Sequence, residues 1–403
     1  MRIALFPDDY LPSSTLVHAK MFHDLALELK LCGHDPIIIT PSHGPQKERL
    51  EIEFIDGIEV WRFRNPPMRG VGKLKRALSE TLISFNAYLA IKKKIMDKPV
   101  DACINYSPTI FFGPLLLWFK KKHCTYNYLI LRDMFPQWII DEGLIKGGSL
   151  IAKYFQLFET LNYRSSDKIG LMSDANVKYF SKVQPRYSNT EVLRNWADIK
   201  PYSTSELVKG IRCEYQLEDK CIFFYGGNIG HAQDMNNLLR LVESMKCYQQ
   251  AHFLFVGQGD EVELVKTMKT ERGLDNLTFL SSVSQDEFKQ LLTQVDVGLF
   301  SLAASHKAHN FPGKLLGYMV QSLPILGSVN PGNDLIDLIN EKEAGIAFVN
   351  GEDDELLKSA VKLLNNETER RRLGSNAYKV LTNHFSVQSV AKQLIRHIAL
   401  GKN

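Results

Sequence analysis

Cys221-Ile222-Phe223-Phe224-Tyr225, running into Gly226-Gly227-Asn228-Ile229-Gly230, sets the pattern for the chain. Five apolar residues without polar alternation fit a strand buried on both faces, as in a parallel sheet covered by helices. The glycines that follow fit a tight passage into a helix, where backbone amides and the helix N-terminus can meet an anion such as a diphosphate. The same pattern recurs downstream. Residues 252–256 lead into Val256-Gly257-Gln258-Gly259, and apolar runs at 277–280, 295–300, 324–326 and 346–349 alternate with helical patterns. Asn330-Pro331-Gly332-Asn333-Asp334 again separates a strand from a helix, with Asn333 or Asp334 as a sound N-cap.

Upstream, residues 3–6 read as a buried strand. A helix follows over 15–31, with Leu16, Ala19, Phe22, His23, Ala26 and Leu29 on one face, and Gly33 ends it. Further strands are expected at 36–40, 58–63, 101–105, 126–131, 168–171 and 191–193. Strand–helix alternation predicts parallel sheets with helices on both faces. A chain of 403 residues exceeds what one hydrophobic core serves. The expectation is therefore α/β, two doubly wound Rossmann-like domains, at 1–200 and 201–383. A linker lies near 196–218, and a C-terminal helix at 384–403 packs toward the first domain.

Composition excludes several classes. Apolar content of 44% and charged content of 23% suit an ordinary globular protein. The longest apolar stretch, residues 110–119, is about half of the roughly 20 residues a spanning helix needs. Acidic Asp8 and Asp9 follow the first strand with no signal-peptide core, which points to the cytoplasm. Six scattered cysteines form no CxxC pair, so neither a zinc site nor a disulfide framework is expected. The lack of GxSxG, HExxH and Walker A patterns removes the commonest hydrolase, zinc and P-loop readings. Residues 1–200 carry a net +7 and residues 201–403 a net −3. The first half thus suits an anionic partner; charge alone fits nucleic acid and an anionic membrane equally.

Loops past the carboxyl ends of strands hold the candidates. Pro312 and Gly313 open a helix with Lys314 in its first turn, an unfavourable place for a cation unless an anion is near. Asp133, in Arg132-Asp133-Met134-Phe135-Pro136, sits where it could take a proton from an acceptor hydroxyl. The stripe Leu74, Leu78, Leu82, Phe85 and Leu89 is flanked by Lys73, Lys75, Arg76, Lys92, Lys93 and Lys94. The segment ending in Trp118 and Phe119 runs into Lys120, Lys121 and Lys122. Basic amphipathic helices of this kind can lie in an anionic interface.

Together these stretches resemble the GT-B glycosyltransferases of glycosyltransferase family four, especially bacterial enzymes of O-antigen and capsule assembly and their fucosamine-transferase subgroup. The likeness rests on Phe6-Pro7-Asp8-Asp9-Tyr10-Leu11-Pro12, Gly33-His34-Asp35, Arg132-Asp133-Met134-Phe135-Pro136 and Asn195-Trp196-Ala197-Asp198. In the second half it rests on Gly227-Asn228-Ile229-Gly230-His231-Ala232-Gln233, Val256-Gly257-Gln258-Gly259 and Pro312-Gly313-Lys314-Leu315-Leu316-Gly317-Tyr318-Met319. It implies a retaining transfer needing no metal or other cofactor, in a cleft between the domains. A nucleoside-diphosphate sugar, UDP-linked, would meet Gly227, Asn228, Gly230, Gln233, Gly257, His309, Pro312, Gly313, Lys314, Asn333 and Asp334. Asp133 and Lys314 would be catalytic, and Pro12, Ser13 and Ser14 would form the acceptor loop. The acceptor implied is a sugar on a polyprenyl diphosphate, so the basic half would face the inner membrane surface at Lys92–Lys94 and Trp118–Lys122 rather than nucleic acid. Many members carry two glutamates eight positions apart, the second holding the ribose; here those positions are His309 and Gly317. Asn228 and Gln233 stand where an Arg and a Lys usually neutralise the diphosphate, which leaves Lys314 as the remaining cation. Two other readings share the architecture: a non-catalytic partner subunit and a nucleotide-sugar 2-epimerase.

Overall fold

The structure is a computed structural model. It describes residues 1–403 except 13, 15, 16, 43, 69, 70, 108, 142, 144, 198, 204–209, 306–310, 402 and 403; residues 17, 73, 74, 138, 141 and 285 are described by backbone only. The chain divides into two compact units, Met1–Arg194 with Val387–Asn403, and Asn195–Ser386.

The first unit holds β1 (Arg2–Phe6), α1 (Val17–Leu31), β2 (Asp35–Pro41), β3 (Leu50–Ile55), β4 (Ile58–Phe63), α2 (Lys73–Thr81), α3 (Ile83–Asp97), β5 (Ala102–Ser107), α4 (Gly113–His123), β6 (Tyr126–Leu131), α5 (Gln137–Asp141), α6 (Leu150–Ser165), β7 (Lys168–Leu171), α7 (Asp174–Val183) and β8 (Thr190–Val192). Its sheet runs β3-β4-β2-β1-β5-β6-β7-β8. Every pairing is parallel except β3 with β4. Central β1 is buried at all five positions, as a parallel strand covered on both faces must be. The edge strand β3 is absent from the sequence expectation. It is mostly exposed, so no apolar run marks it. The available signals were the period-two alternation Leu50-Glu51-Ile52-Glu53-Phe54 and the Asp56-Gly57 turn that joins the strand to β4, with φ of 49° and 75°.

The second unit holds α8 (Ile211–Glu214), β9 (Cys221–Asn228), α9 (Met235–Ser244), β10 (Ala251–Gln258), α10 (Val262–Glu271), β11 (Leu277–Leu280), α11 (Gln285–Leu292), β12 (Val297–Ser301), α12 (Lys314–Val320), β13 (Ile325–Val329), α13 (Leu335–Glu341), β14 (Gly345–Val349), α14 (Asp353–Asn365) and α15 (Glu367–Val380). Its six strands, ordered β11-β10-β9-β12-β13-β14, are all parallel. Apolar side chains from the two faces of this sheet fill separate cores, one around Phe224 and Tyr318, the other around Phe223 and Phe253. A Ser284–Glu287 capping box starts α11.

The last helix, α16 (Val387–Leu400), belongs to the first unit. Gln388 Nε2 donates to Glu28 on α1 at 3.0 Å, and His397 Nε2 lies 2.6 Å from Glu191 Oε2. The parallel, doubly wound α/β architecture expected from the alternation is thus present in both units.

Candidate active site

In an open α/β sheet, a crevice forms where successive connections leave a strand pair in opposite directions. In the second unit that point lies between β9 and β12, and in the first between β1 and β5.

At the β9 point the glycine cluster behaves differently from its sequence reading. It does not open a helix directly: β9 continues through Gly226, Gly227 and Asn228, which pair with Val256, Gly257 and Gln258 of β10. A 3-10 turn, His231–Gln233, then leads through Asp234 to α9. Sterics explain the glycines. A Cβ on Gly257 would stand 1.9 Å from the Gly227 carbonyl oxygen, and one on Gly226 would stand 2.5 Å from Phe288. Gly227 is exposed, with φ of 125°, and faces Lys314. Gly230 is buried beside Asp260. Asn228 Nδ2 donates to Gln233 Oε1 at 2.6 Å, so these two expected donor contacts hold each other. Buried Glu261 braces the loop, accepting from Met235 N at 3.2 Å and standing 2.7 Å from His231 Nδ1.

Lys314 is the unusual residue here. As a whole it is half-buried, yet its Nζ is fully enclosed and has no hydrogen-bond partner. The ammonium lies 3.4 Å from the centroid of the Tyr225 ring. Burial holds its pKa well below the ordinary lysine value. This excludes a merely solvated lysine. Beside it, Pro312 is half-buried, and a Cβ on exposed Gly313 would meet nothing within 4 Å, so the approach is open. His309 lies outside the described residues. Asn333 is otherwise occupied: it is buried, its Nδ2 donates to Asn330 Oδ1 at 2.9 Å, and its Oδ1 accepts from Leu335 N at 3.0 Å. Asp334 is the N-cap position of α13 but makes no side-chain cap. Asn333 thus performs the capping expected of either residue.

In the first unit, Asp133 lies just past β6; its side chain reaches solvent, yet the protein packed around it desolvates the carboxyl enough to raise its pKa, against the lowering effect of Arg132. Arg132 itself reaches carbonyls of Leu131, Gly170 and Arg194 at 3.3–3.4 Å, tying the ends of β6, β7 and β8. Its burial lowers its pKa to about 10. Tyr106, at the end of β5, is pushed up to about 12 by burial; the charges of Arg132, Asp8 and Asp133 all act on it. His18 stacks on Tyr106 at 5.1 Å and places Nε2 3.1 Å from Asp8 Oδ1. Asp8, His18 and Tyr106 were not among the expected site residues. The acidic pair after β1 was the only visible signal; nothing in the sequence marks Tyr106. Ser14 departs from the expected acceptor loop. It is buried and its Oγ donates to Asp9 Oδ2, so it faces inward. Pro12 is exposed, and Ser13 lies outside the described residues.

The expected membrane-facing residues also divide. Lys92, Lys93, Lys94, Lys121 and Lys122 are exposed. Trp118 is not an outward anchor: it is half-buried, 5.0 Å from both Tyr88 and Phe119. Lys120 pairs with Asp167 at 2.6 Å. Among the described residues no helix is long and apolar enough to cross a membrane, and no group of three His, Cys, Asp or Glu could hold a metal.

Two parallel-sheet α/β units of this kind define the GT-B fold. Anabaena Alr3699/HepE, solved with UDP and glucose, shares it at a TM-score of 0.67 and 17% identity, over 99% of this chain and 100% of that one. Residues 211–380 match the family described as Glycosyl transferases group 1. The chain is 24% identical over 318 residues to the "Putative colanic acid biosynthesis glycosyl transferase WcaI" of Escherichia coli (strain K12), covering 74% of this chain and 76% of that protein. It is 25% identical over 224 residues to the "Probable glycosyltransferase WbjE" of Pseudomonas aeruginosa, 54% of each. The protein is a glycosyltransferase.

Proposed function

We propose that the protein transfers a sugar, with retention and without a metal, from a UDP-linked donor bound on the second unit to a lipid-linked sugar acceptor bound on the first. The product belongs to a cell-surface polysaccharide, O-antigen or capsule, and N-acetylfucosamine is the sugar the sequence resemblance favours. Catalysis would take place at the inner face of the cytoplasmic membrane.

One observation carries this reading: the enclosed, unpartnered ammonium of Lys314 at the β9 switch point. A buried amine without a compensating anion favours its neutral form, and an anion beside it restores the charge. A donor diphosphate would supply that anion, and would approach over Gly227 and Gly313. A non-catalytic partner subunit would have no reason to keep such a charge. On the first unit, Asp133 is the group available to orient or deprotonate the acceptor hydroxyl. The WcaI name, which prints colanic acid biosynthesis, supports polysaccharide assembly, the WbjE name supports glycosyl transfer, and the HepE complex supports a UDP donor.

The test is a thermal-shift screen of nucleotide sugars followed by a transfer assay, since a ligand that binds only the folded state raises the midpoint. UDP sugars should stabilise the protein, and one of them should be consumed with an acceptor present. Stabilisation without consumption of any donor would favour the partner-subunit reading; no stabilisation at all would remove the donor site.

A further inference from the structure

Away from both switch points, the first unit has a pocket of about 720 Å3 at the carboxyl ends of β2 and β4. Its walls include Gln46, Arg64, Asn65, Leu82 and Asn86. The polar side is organised. Buried Asn65 donates to the Ser79 carbonyl at 3.1 Å and accepts from Asn86 Nδ2 at 2.9 Å. Gln46 Nε2 donates to the Arg62 carbonyl at 2.8 Å, while its Oε1 is buried without a partner. Arg64 is exposed, with only a 3.5 Å contact to the Lys47 carbonyl and no carboxylate partner among the described residues.

The other side is apolar, and it continues. Leu82 lines the pocket and is also part of an exposed face. Leu78 is 66% exposed and Phe85 59%; on α6, Leu150 is 85% exposed, Ile151 58% and Leu157 56%. Thr81 on α2 and Tyr154 on α6 touch through their hydroxyls, which joins the two helices into one face. Exposed apolar side chains gathered on helices that touch one another are the kind of surface that marks an interaction site. Lys75, Lys146 and Lys153 stand exposed on the same helices or at the start of α6, with no ion pair among the described residues. Basic residues around an apolar face suit an anionic amphiphile rather than a second protein surface of ordinary composition.

We propose that this pocket binds the phosphate-bearing head of the lipid-linked acceptor, with Arg64 as the phosphate contact, and that the lipid chain leaves over Leu82 along the α2–α3–α6 face. The proposal rests on the acceptor reading above. A fork of guanidinium donors matches a phosphate. The unpartnered Gln46 Oε1 is an acceptor, suited to a donating hydroxyl of the headgroup beside it. A free phosphate would use the polar side alone, and a plain lipid the apolar side alone; only an amphiphile uses both.

Farnesyl phosphate is the probe, with inorganic phosphate and farnesol as controls, measured by calorimetry on the full chain. Farnesyl phosphate should bind at least tenfold more tightly than either control. Arg64→Gln should lower its affinity about tenfold or more, and Phe85→Glu with Leu150→Glu should do the same through the chain. Circular dichroism establishes that each variant is folded, and UDP binding reports the donor site separately. Farnesyl phosphate binding no tighter than inorganic phosphate, or undiminished in Arg64→Gln, overturns the proposal while leaving the donor reading untouched.

Discussion

Replacing Lys314 with methionine keeps the stem and removes the charge. An ammonium taken out of water into a protein interior costs several kcal/mol. The face of Tyr225 offsets roughly 2 kcal/mol of that. The balance is unfavourable, which is why burial lowers the amine's pKa. A base depressed in the folded state is protonated in the unfolded chain at pH values where the folded chain leaves it neutral. Stability is therefore lost as pH falls below the ordinary lysine value, until the folded pKa is reached. Lys314→Met should stabilise the ligand-free protein at pH 7 by on the order of 1–4 kcal/mol. For a domain of this size that raises the midpoint by roughly 2–4 °C per kcal/mol.

The same variant should bind UDP worse, because a charge-assisted contact of about 1.5–3 kcal/mol is lost, tenfold or more in affinity. In the unaltered protein, diphosphate binding should draw a proton onto Lys314. Titration calorimetry in buffers of differing ionisation enthalpy, at pH 8 where the diphosphate is fully ionised, should show net proton uptake on binding, the direction set by an amine whose pKa burial lowers and a bound anion restores. Affinity should fall as pH rises. A variant that binds UDP as tightly as the unaltered protein, with no gain in midpoint, would show that Lys314 meets no donor phosphate and would refute the reasoning.

Three further outcomes are expected. Asp133→Asn should cut turnover by about 100-fold or more and leave UDP affinity nearly intact, and near-normal turnover would remove the proton-transfer role. Glu159 on α6 is buried with its pKa raised to about 7, burial being the main cause, against a hydrogen bond from Tyr163. An acid raised in the folded state costs stability as pH climbs from its ordinary range to that value, so Glu159→Gln should raise the melting midpoint at pH 8 and change it little at pH 4.5. Neutralising exposed Lys92, Lys93 and Lys94 should weaken binding to phosphatidylglycerol vesicles by about 1 kcal/mol per charge, an effect erased at high salt; flotation unchanged by the triple substitution would clear α3 of that role.

What the sequence disclosed was periodicity, and what it hid was depth. Strand–helix alternation is written locally, so both sheets were legible, whereas β3, a mostly exposed antiparallel edge strand, falls outside that alternation and carries no apolar run. Glycine motifs were legible as punctuation but ambiguous in cause. Gly257 is required because the Gly227 carbonyl occupies its Cβ position, a contact between strands about thirty residues apart. Trp118 and Lys120 are two residues apart in a sequence that reads as a single interfacial edge. On a helix they diverge, and one packs on Tyr88 while the other reaches Asp167.

Gly317 and the isolation of Lys314 belong together. A glutamate at 317 would lie one helical turn from Lys314, within the reach at which opposite charges pair. Glycine there leaves no carboxylate on α12, and the segment 306–310, His-Lys-Ala-His-Asn, supplies none. A Cβ at 317 would stand 3.1 Å from Leu292, so the position borders apolar packing, and α12 carries no acidic residue to compensate Lys314. If the diphosphate is the anion that compensates Lys314, UDP affinity should fall as pH rises, and a pH-independent affinity would remove that role.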